Sequence, residues 1–224
     1  MQHAFPHRVH SQFSPFKHCA LIASLLLSVE VFSGPEGGEV VGGAGTINQA
    51  GNTTTINQAT DRLAIDWQSF DVGRDERVNF IQPDSSSVVL NRILSNRGSQ
   101  IHGRVDATGS VFLVNPNGVF FGEGSVINAG GILASGLSID PNDFMNGNFA
   151  FRALEGTDGT VINAGLLNAA TGGSVTLLGQ QVQNLDTGLI SAALGSVTLG
   201  AAKEAIVTFD GAGMLGVQIT EAML

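Results

Sequence analysis

The sequence predicts an all-β chain wound as a β-solenoid, and three observations predict it. First, the composition is rich in small and strand-forming residues. Gly makes up 30 of 224 residues, charged residues only 13%, aromatics 6%, and Tyr is absent, while the hydrophobic share is an ordinary 43%. A disordered chain would combine many charges with few apolar residues, whereas Val, Ile, Leu and Thr with many glycines suit repetitive strands and tight turns. Second, a phrase recurs. Residues 103–113 (GRVDATGSVFL), 165–177 (GLLNAATGGSVTL) and 188–199 (GLISAALGSVTL) share a glycine, a short apolar strand, an alanine, a small loop and then Gly-Ser-Val-x-Leu. The serines of that phrase are Ser110, Ser174 and Ser196; the last two lie 22 apart, and the first two 64 apart, near three times 21. Third, SVINAGGI (125–132) and TVINAGLL (160–167) repeat, with VQNLDTGLI (182–190) as a looser copy and TINQA (46–50, 55–59) as a shorter echo. A period near 22 residues with short strands and small turns is one solenoid rung. The leucine-rich repeat has a similar period, but its L-x-x-L-x-L-x-x-N phrase is absent.

From the N-terminus, residues 1–33 read as a signal peptide. His3, His7, Arg8, His10, Lys17 and His18 form a polar, mildly basic stretch, followed by the apolar run CALIASLLLSV, Cys19 to Val29. That run is too short to span a bilayer and suits a signal-peptide core. VFS (31–33) places cleavage after Ser33. The single cysteine, Cys19, leaves with the signal, so the mature chain carries no disulfide. Residues 34–224 then form one domain. Residues 34–100 are the least periodic and read as a cap with the first rungs, because a first rung exposes strand edges and core. Trp67, Phe70 and Phe80 are the candidates to plug that end. Residues 101–139 and 159–219 read as regular rungs, each strand with one face in and one out. Asn128, Asn163 and Asn184 would stack in successive rungs as a ladder or sit in solvated turns. Residues 140–158 (DPNDFMNGNFAFRALEGTD) interrupt the repeat as a small hairpin held by Phe144, Phe149 and Phe151.

Charge and motif content narrow the function. The formal net charge is −9 and no Lys/Arg block exists, which argues against nucleic acid and anionic membrane surfaces. Beyond the signal, His102 is the only histidine and no cysteine remains, so zinc and Cys chemistry lack residues. No G-x-S-x-G elbow, phosphate loop or dinucleotide fingerprint occurs, and no cofactor is expected. Asp66, Asp71, Asp75, Asp140 and Asp143 could supply acid pairs for sugar cleavage, but surface turns explain them better. The chain reads as non-enzymatic. Within VNPNGVFFG (114–122), Asn-Pro and Asn-Gly are both turn signals between apolar runs.

Several phrases in order, TTTINQATDRLAIDWQSFDVG, VNFIQPDSSSVVLNRILS, SQIHGRVDATGSVFLVNPNGVFFG, GGILASGLSID and GSVTLLG, resemble the N-terminal secretion (haemagglutination activity) domain of filamentous haemagglutinin-like exoproteins, the passengers of two-partner secretion. The similarity covers about residues 35–219. It implies a right-handed parallel β-helix of pectin-lyase-like type with an N-terminal cap. It implies recognition by the periplasmic domains of a dedicated outer-membrane β-barrel transporter in a diderm bacterium, passage through the pore unfolded, and folding outside without ATP. The family's marked motif falls on Asn115, Pro116, Asn117 and Gly118, and Asn91 and Arg92 form a second family-like site. An upstream N-P-N-L motif of some members is replaced here by QPDSSS, as in the adhesin branch. Adhesins of this kind imply a host-cell receptor or glycan as a further partner, and a final location in the medium or on the cell surface. Family members usually continue for many hundreds of residues. The alternatives are a stand-alone carbohydrate-binding or carbohydrate-cleaving β-helix, or a truncated remnant.

Overall fold

The computed structural model describes residues 1–2, 34–209 and 215–223. The signal-peptide expectation for residues 1–33, with Cys19 and the cleavage point, lies outside the described residues apart from Met1 and Gln2.

Three short strands open the domain: β1 (Pro35–Glu36), β2 (Glu39–Gly42) and β3 (Gly45–Ala50). The first rung follows as β4 (Thr53–Gln58), β5 (Arg62–Trp67) and β6 (Ser69–Phe70). The second is β7 (Arg77–Ile81), β8 (Val88–Ile93) and β9 (Ser99–Ile101). The third is β10 (Arg104–Ala107), β11 (Ser110–Val114) and β12 (Val119–Phe121). The fourth begins with β13 (Val126–Ala129) and β14 (Gly131–Ser135), departs through helix α1 (Pro141–Met145) and β15 (Phe149–Arg152), and resumes at β16 (Thr160–Asn163). The fifth is β17 (Leu166–Ala169), β18 (Ser174–Gly179) and β19 (Gln181–Asn184). The sixth consists of β20 (Leu189–Ala192) and β21 (Ser196–Phe209), and β22 (Leu215–Ala222) ends the chain.

Equivalent strands of successive rungs pair in parallel, which makes a parallel β-helix of about six turns. Sheet I stacks β4, β7, β10, β13, β17 and β20; sheet II stacks β5, β8, β11, β14, β18 and β21; sheet III stacks β9, β12, β16 and β19. Inward columns run straight through the stack. In sheet II one column is Leu63, Val89, Val111, Ile132, Val175 and Val197. The cap is built differently: β2 lies antiparallel on β5 and β3 antiparallel on β4. Trp67 and Phe70 meet edge to face at 5.5 Å inside the first rung, and Phe80 lies in the second. The cap strands, rather than these three rings, close the end. A Cβ on Gly38 would lie 2.5 Å from the Trp67 ring, so the bare backbone of the cap rests on the indole.

The repeat phrases map onto the rungs with two departures. Ser110, Ser174 and Ser196 do share one column of sheet II, but Ser110 and Ser174 are two rungs apart, with Gly131 between them. The intervening copy, Gly130-Gly131-Ile132-Leu133-Ala134, has glycine in the serine's place, and its rung carries the excursion. The chain leaves at Gly136 and returns at Gly159, where the two backbones touch: a Cβ on Gly136 would be 2.1 Å from the Gly159 carbonyl oxygen. The insertion is thus pinched at its base and leaves the stack intact. The two VIN phrases are not equivalent either. Val126–Asn128 lies in sheet I and Val161–Asn163 in sheet III. The single ladder expected of Asn128, Asn163 and Asn184 is therefore two. On sheet I, Asn168 Nδ2 donates to Asn128 Oδ1 (3.1 Å) and Asn128 Nδ2 to Asp106 Oδ1 (2.9 Å); on sheet III, Asn163 Nδ2 donates to Asn184 Oδ1 (2.8 Å).

Sheet II departs from the one-face-in pattern. Every residue of β11, β14 and β18 is buried. The outer face, including Ala64, Leu90, Phe112, Leu133 and Leu178, packs under the excursion and the C-terminal strands. The excursion is a short helix and a strand, not a hairpin. Asp140 caps the helix by accepting from the Asn142 and Asp143 amides, and Pro141 opens it. Phe144, Phe149 and Phe151 all reach Phe112, together with Phe209. Beyond Ala201, β21 leaves the solenoid path. Its later residues pair antiparallel with β15 on one edge and with β22 on the other, so residues 202–209 and 215–222 form covering antiparallel strands instead of further regular rungs.

Candidate functional site

All six predicted site residues gather at one corner, where sheet II hands the chain to sheet III. Asn91 and Arg92 stand near the end of β8. Arg92 is in register with Val114, the last residue of β11, and Asn115 follows directly. Local chemistry explains the bend. Pro116 restricts φ and cannot extend the ladder, and the Asn115 carbonyl accepts the Gly118 amide at 2.9 Å, closing a β-turn. Gly118 has φ +103°, a conformation that side-chain-bearing residues rarely adopt.

The side chains of the turn point into the molecule. Asn115 is 0% exposed. Its Oδ1 accepts the Asn117 amide (2.9 Å), and its Nδ2 donates to the Arg97 carbonyl (2.9 Å) and to Ser99 Oγ (3.1 Å). Asn117 Nδ2 donates to the Ser95 carbonyl at 2.9 Å. The Gly118 carbonyl accepts from Ser99 N–H below, and the Pro116 carbonyl from Gly159 N–H above. The tetrapeptide therefore staples the second, third and fourth rungs at their corner.

Asn91 occupies an inward column of sheet II, between Ile65 and Leu113, and is also 0% exposed. A buried indole N–H needs an acceptor, and Asn91 Oδ1 takes the Trp67 Nε1 proton at 3.0 Å while its Nδ2 donates to the Phe112 carbonyl. Arg92 faces outward. Its guanidinium grips Asp66 through both carboxylate oxygens, at 2.7 and 2.5 Å, in the fork geometry that arginine favours. The hydrogen bonds that Arg92 donates to Asp66 hold its guanidinium above its ordinary pKa.

The residues that complete this corner without having been marked in the sequence are Ser95, Arg97, Ser99 and Gly159. No local signal distinguishes them, because each contributes mainly a backbone group to a neighbour one rung away. Asp66 and Trp67 were visible as an acid and a plug, and the structure gives both to Arg92 and Asn91 instead. Asp71 and Asp140 are engaged too, while Asp75 lies exposed in a turn. Asp71 accepts the Gln100 amide at 2.7 Å and lies 3.6 Å from Arg97; burial pushes its carboxyl up despite those two partners. Asp140 caps α1 and Asp143 sits in its first turn. Among the described residues no group of three or more His, Cys, Asp or Glu side chains could hold a metal ion. What the corner does chemically is join rungs.

Comparison with known proteins gives concordant results. The model of the TPS secretion domain matches residues 33–217. A heme/hemopexin-binding protein of Haemophilus influenzae strain Rd is 41% identical over 134 residues, which is 58% of this chain and 15% of that protein. Another heme/hemopexin-binding protein of Haemophilus influenzae is 41% identical over 102 residues, 45% of this chain and 11% of that one. The crystal structure of the HMW1 secretion domain from Haemophilus influenzae superimposes with a TM-score of 0.77 at 34% identity, over 85% of this chain and 50% of that chain. The chain thus spans at most 15% of these curated relatives and half of the solved chain.

Proposed function

The chain belongs to the TPS secretion domain family, and on that premise we propose that Asn91, Arg92 and Asn115–Gly118 are read by the periplasmic domains of the transporter before the domain folds. The domain serves two-partner secretion of an exoprotein, and its partner is a cognate outer-membrane transporter.

One observation carries the reading. In the folded domain Asn91 and Asn115 are 0% exposed, and their amides are spent on neighbouring rungs. A transporter can reach these side chains only while the rungs are apart. Recognition thus belongs to the unfolded chain, and the corner is built only after passage. The signal peptide, cleaved near Ser33, delivers the chain to the periplasm. Outside, each added rung buries apolar surface and disfavours sliding back. The domain itself performs no reaction, a reading supported by the engagement of Asp66 and Asp71 with Arg92 and Arg97. Adhesion to a host-cell receptor or glycan is the role of the exoprotein as a whole.

The test is export of the 224-residue chain from a diderm bacterium with and without the transporter, assayed in the medium. Transporter-dependent appearance is expected, and Asn117→Ala is expected to lower it while the purified domain keeps its fold. Normal export of that variant would remove the recognition role.

A further inference from the structure

We propose that the Glu76 carboxylate is the receiving site for the α-amino group that signal-peptide cleavage creates at Gly34, so that processing completes the lock on the N-terminal cap. The inference rests on the proposed cleavage after Ser33.

The nitrogen of residue 34 is already in place. Gly34 N–H donates to Glu76 Oε2 at 3.0 Å, and the same oxygen accepts the Gly73 amide at 2.6 Å. The backbone holds that carboxylate from behind. The Glu76 amide donates to the Gly73 carbonyl (2.9 Å), closing a turn between β6 and β7, and the Glu76 carbonyl accepts the Arg104 amide (3.0 Å) of the next rung. Gln49 and Thr54 flank Gly34 as well: a Cβ there would stand 2.9 Å from Gln49 Nε2 and 3.5 Å from Thr54 Oγ1. Gly34 leads directly into β1, where Pro35 and Glu36 pair antiparallel with Phe70 and Ser69, and then into Gly38, which rests on the Trp67 ring. The contact with Glu76 is thus the anchor from which the cap is laid down.

The charges do not balance while Gly34 is an amide. Among the described residues Glu76 takes part in no ion pair with Lys or Arg. Arg104, whose amide bonds the Glu76 carbonyl, spends its side chain on Asp106. A carboxylate that takes backbone N–H donors and no cation is half of a charge-assisted pair. Hydrolysis of the Ser33–Gly34 bond consumes one water and, at neutral pH, yields the Ser33 carboxylate and the Gly34 ammonium. The nitrogen exchanges its single N–H for an ammonium's three and gains a positive charge 3.0 Å from Oε2. The hydrogen bond becomes an ion pair, and the strand leading to Trp67 is held by it. An uncleaved chain lacks that charge and closes its cap more weakly.

The test is amine labelling of the processed protein. The full chain is expressed in a diderm bacterium, and the processed protein, from periplasm or medium, is treated with limiting acetic anhydride near neutral pH. Mass spectrometry of its peptides identifies the first residue and separates the α-amine from Lys203 Nζ, the one other primary amine after residue 33. An unstructured reference peptide normalises the rates. Pairing that raises the α-amino pKa by about one unit leaves about a tenth of the free base. The wild-type α-amine is therefore expected to react about tenfold more slowly than that of Glu76→Gln, or of the wild type unfolded in urea. Glutamine still offers an acceptor to the Gly73 amide, and the urea reference decides the matter if Glu76→Gln fails to fold. An α-amine equally reactive in folded and unfolded wild type overturns the proposal. So does one equally slow in the wild type and in folded Glu76→Gln, because the carboxylate is then not its partner. A processed chain that starts elsewhere than Gly34 overturns the proposal together with the cleavage point, and leaves recognition by the transporter to the export assay.

Discussion

Asn115 and Asn117 lie two positions apart in one turn and differ in what they hold. Asn115 makes three side-chain hydrogen bonds in a fully buried setting, and Asn117 makes one in a partly buried setting. Losing a partner for a buried polar group costs about 1–3 kcal/mol, whereas a typical exposed bond contributes about 1 kcal/mol. Asn115→Ala is thus expected to destabilise the domain by about 2–4 kcal/mol and Asn117→Ala by about 1 kcal/mol, as urea unfolding of the purified variants would record. The same contrast makes Asn117 the better probe of export. A second residue-scale prediction concerns Asp106. Burial pushes its carboxyl up, but hydrogen bonds from Arg104 and Asn128 and the charges of Arg104 and Arg77 outweigh that and hold it below the ordinary value. A depressed carboxylate contributes stability above its unfolded pKa and loses it as pH falls through the folded one. The stability difference between wild type and Asp106→Asn is expected to be present at neutral pH and to shrink below about pH 3.9, which denaturant titrations at several pH values would follow.

At the scale of elements, the Gly-Ser-Val-x-Leu phrase has a steric origin. Gly109, Gly130, Gly173 and Gly195 form the corner between sheets I and II, and each closely overlies the last. A Cβ on Gly173 would stand 1.9 Å from the Gly130 carbonyl oxygen, and one on Gly195 would stand 1.7 Å from that of Gly173. The backbone of the adjacent rung fills the space, so no flexible side chain can yield. Gly173→Ala must push two rungs apart and is expected to cost about 1–3 kcal/mol or more, measured as a lowered Tm. After the glycine come an outward serine, an inward valine and an inward leucine, which fits the pleat of one strand on a corner. Gly124, with φ +83° and nothing near its Cβ, lacks that steric conflict and meets only the backbone penalty.

At the scale of the whole molecule, the domain is a solenoid finished by two pieces that are not rungs. The outer face of sheet II is closed by the excursion from the fourth rung and by residues 202–209 and 215–222, with Phe112 against Phe144, Phe149, Phe151 and Phe209. In an N-to-C emergence that face stays only partly covered until the C-terminal strands arrive. Ending the chain after Ala201 is therefore expected to leave a contiguous apolar patch, seen as increased binding of a hydrophobic dye and a lower Tm. Equal dye binding by the shortened and intact chains would show that the excursion alone covers the sheet.

The sequence by itself determined the rung. Its length, its glycine corners, the Val-x-Leu strands and the Asn-Pro-Asn-Gly turn are all local, because a solenoid rung repeats the same backbone problem and answers it with the same residues. Order and spacing of the phrases also carried the family. Tertiary structure alone decided which copies stack. The VIN phrases repeat in sequence yet lie on different sheets, because a short strand of that pattern suits any face of the helix. The copy at Gly130–Ala134 falls 21 residues after Ser110 but has Gly131 in the serine's place, and the excursion stretches the next step to Ser174 to 43 residues, so a two-rung gap of 64 reads as three periods. The partners of Asn91, Arg92 and Asn115 were beyond sequence for a related reason. Trp67, Asp66, Arg97 and Ser99 meet them across 16 to 26 residues of chain, and only the parallel register of the rungs brings those residues together.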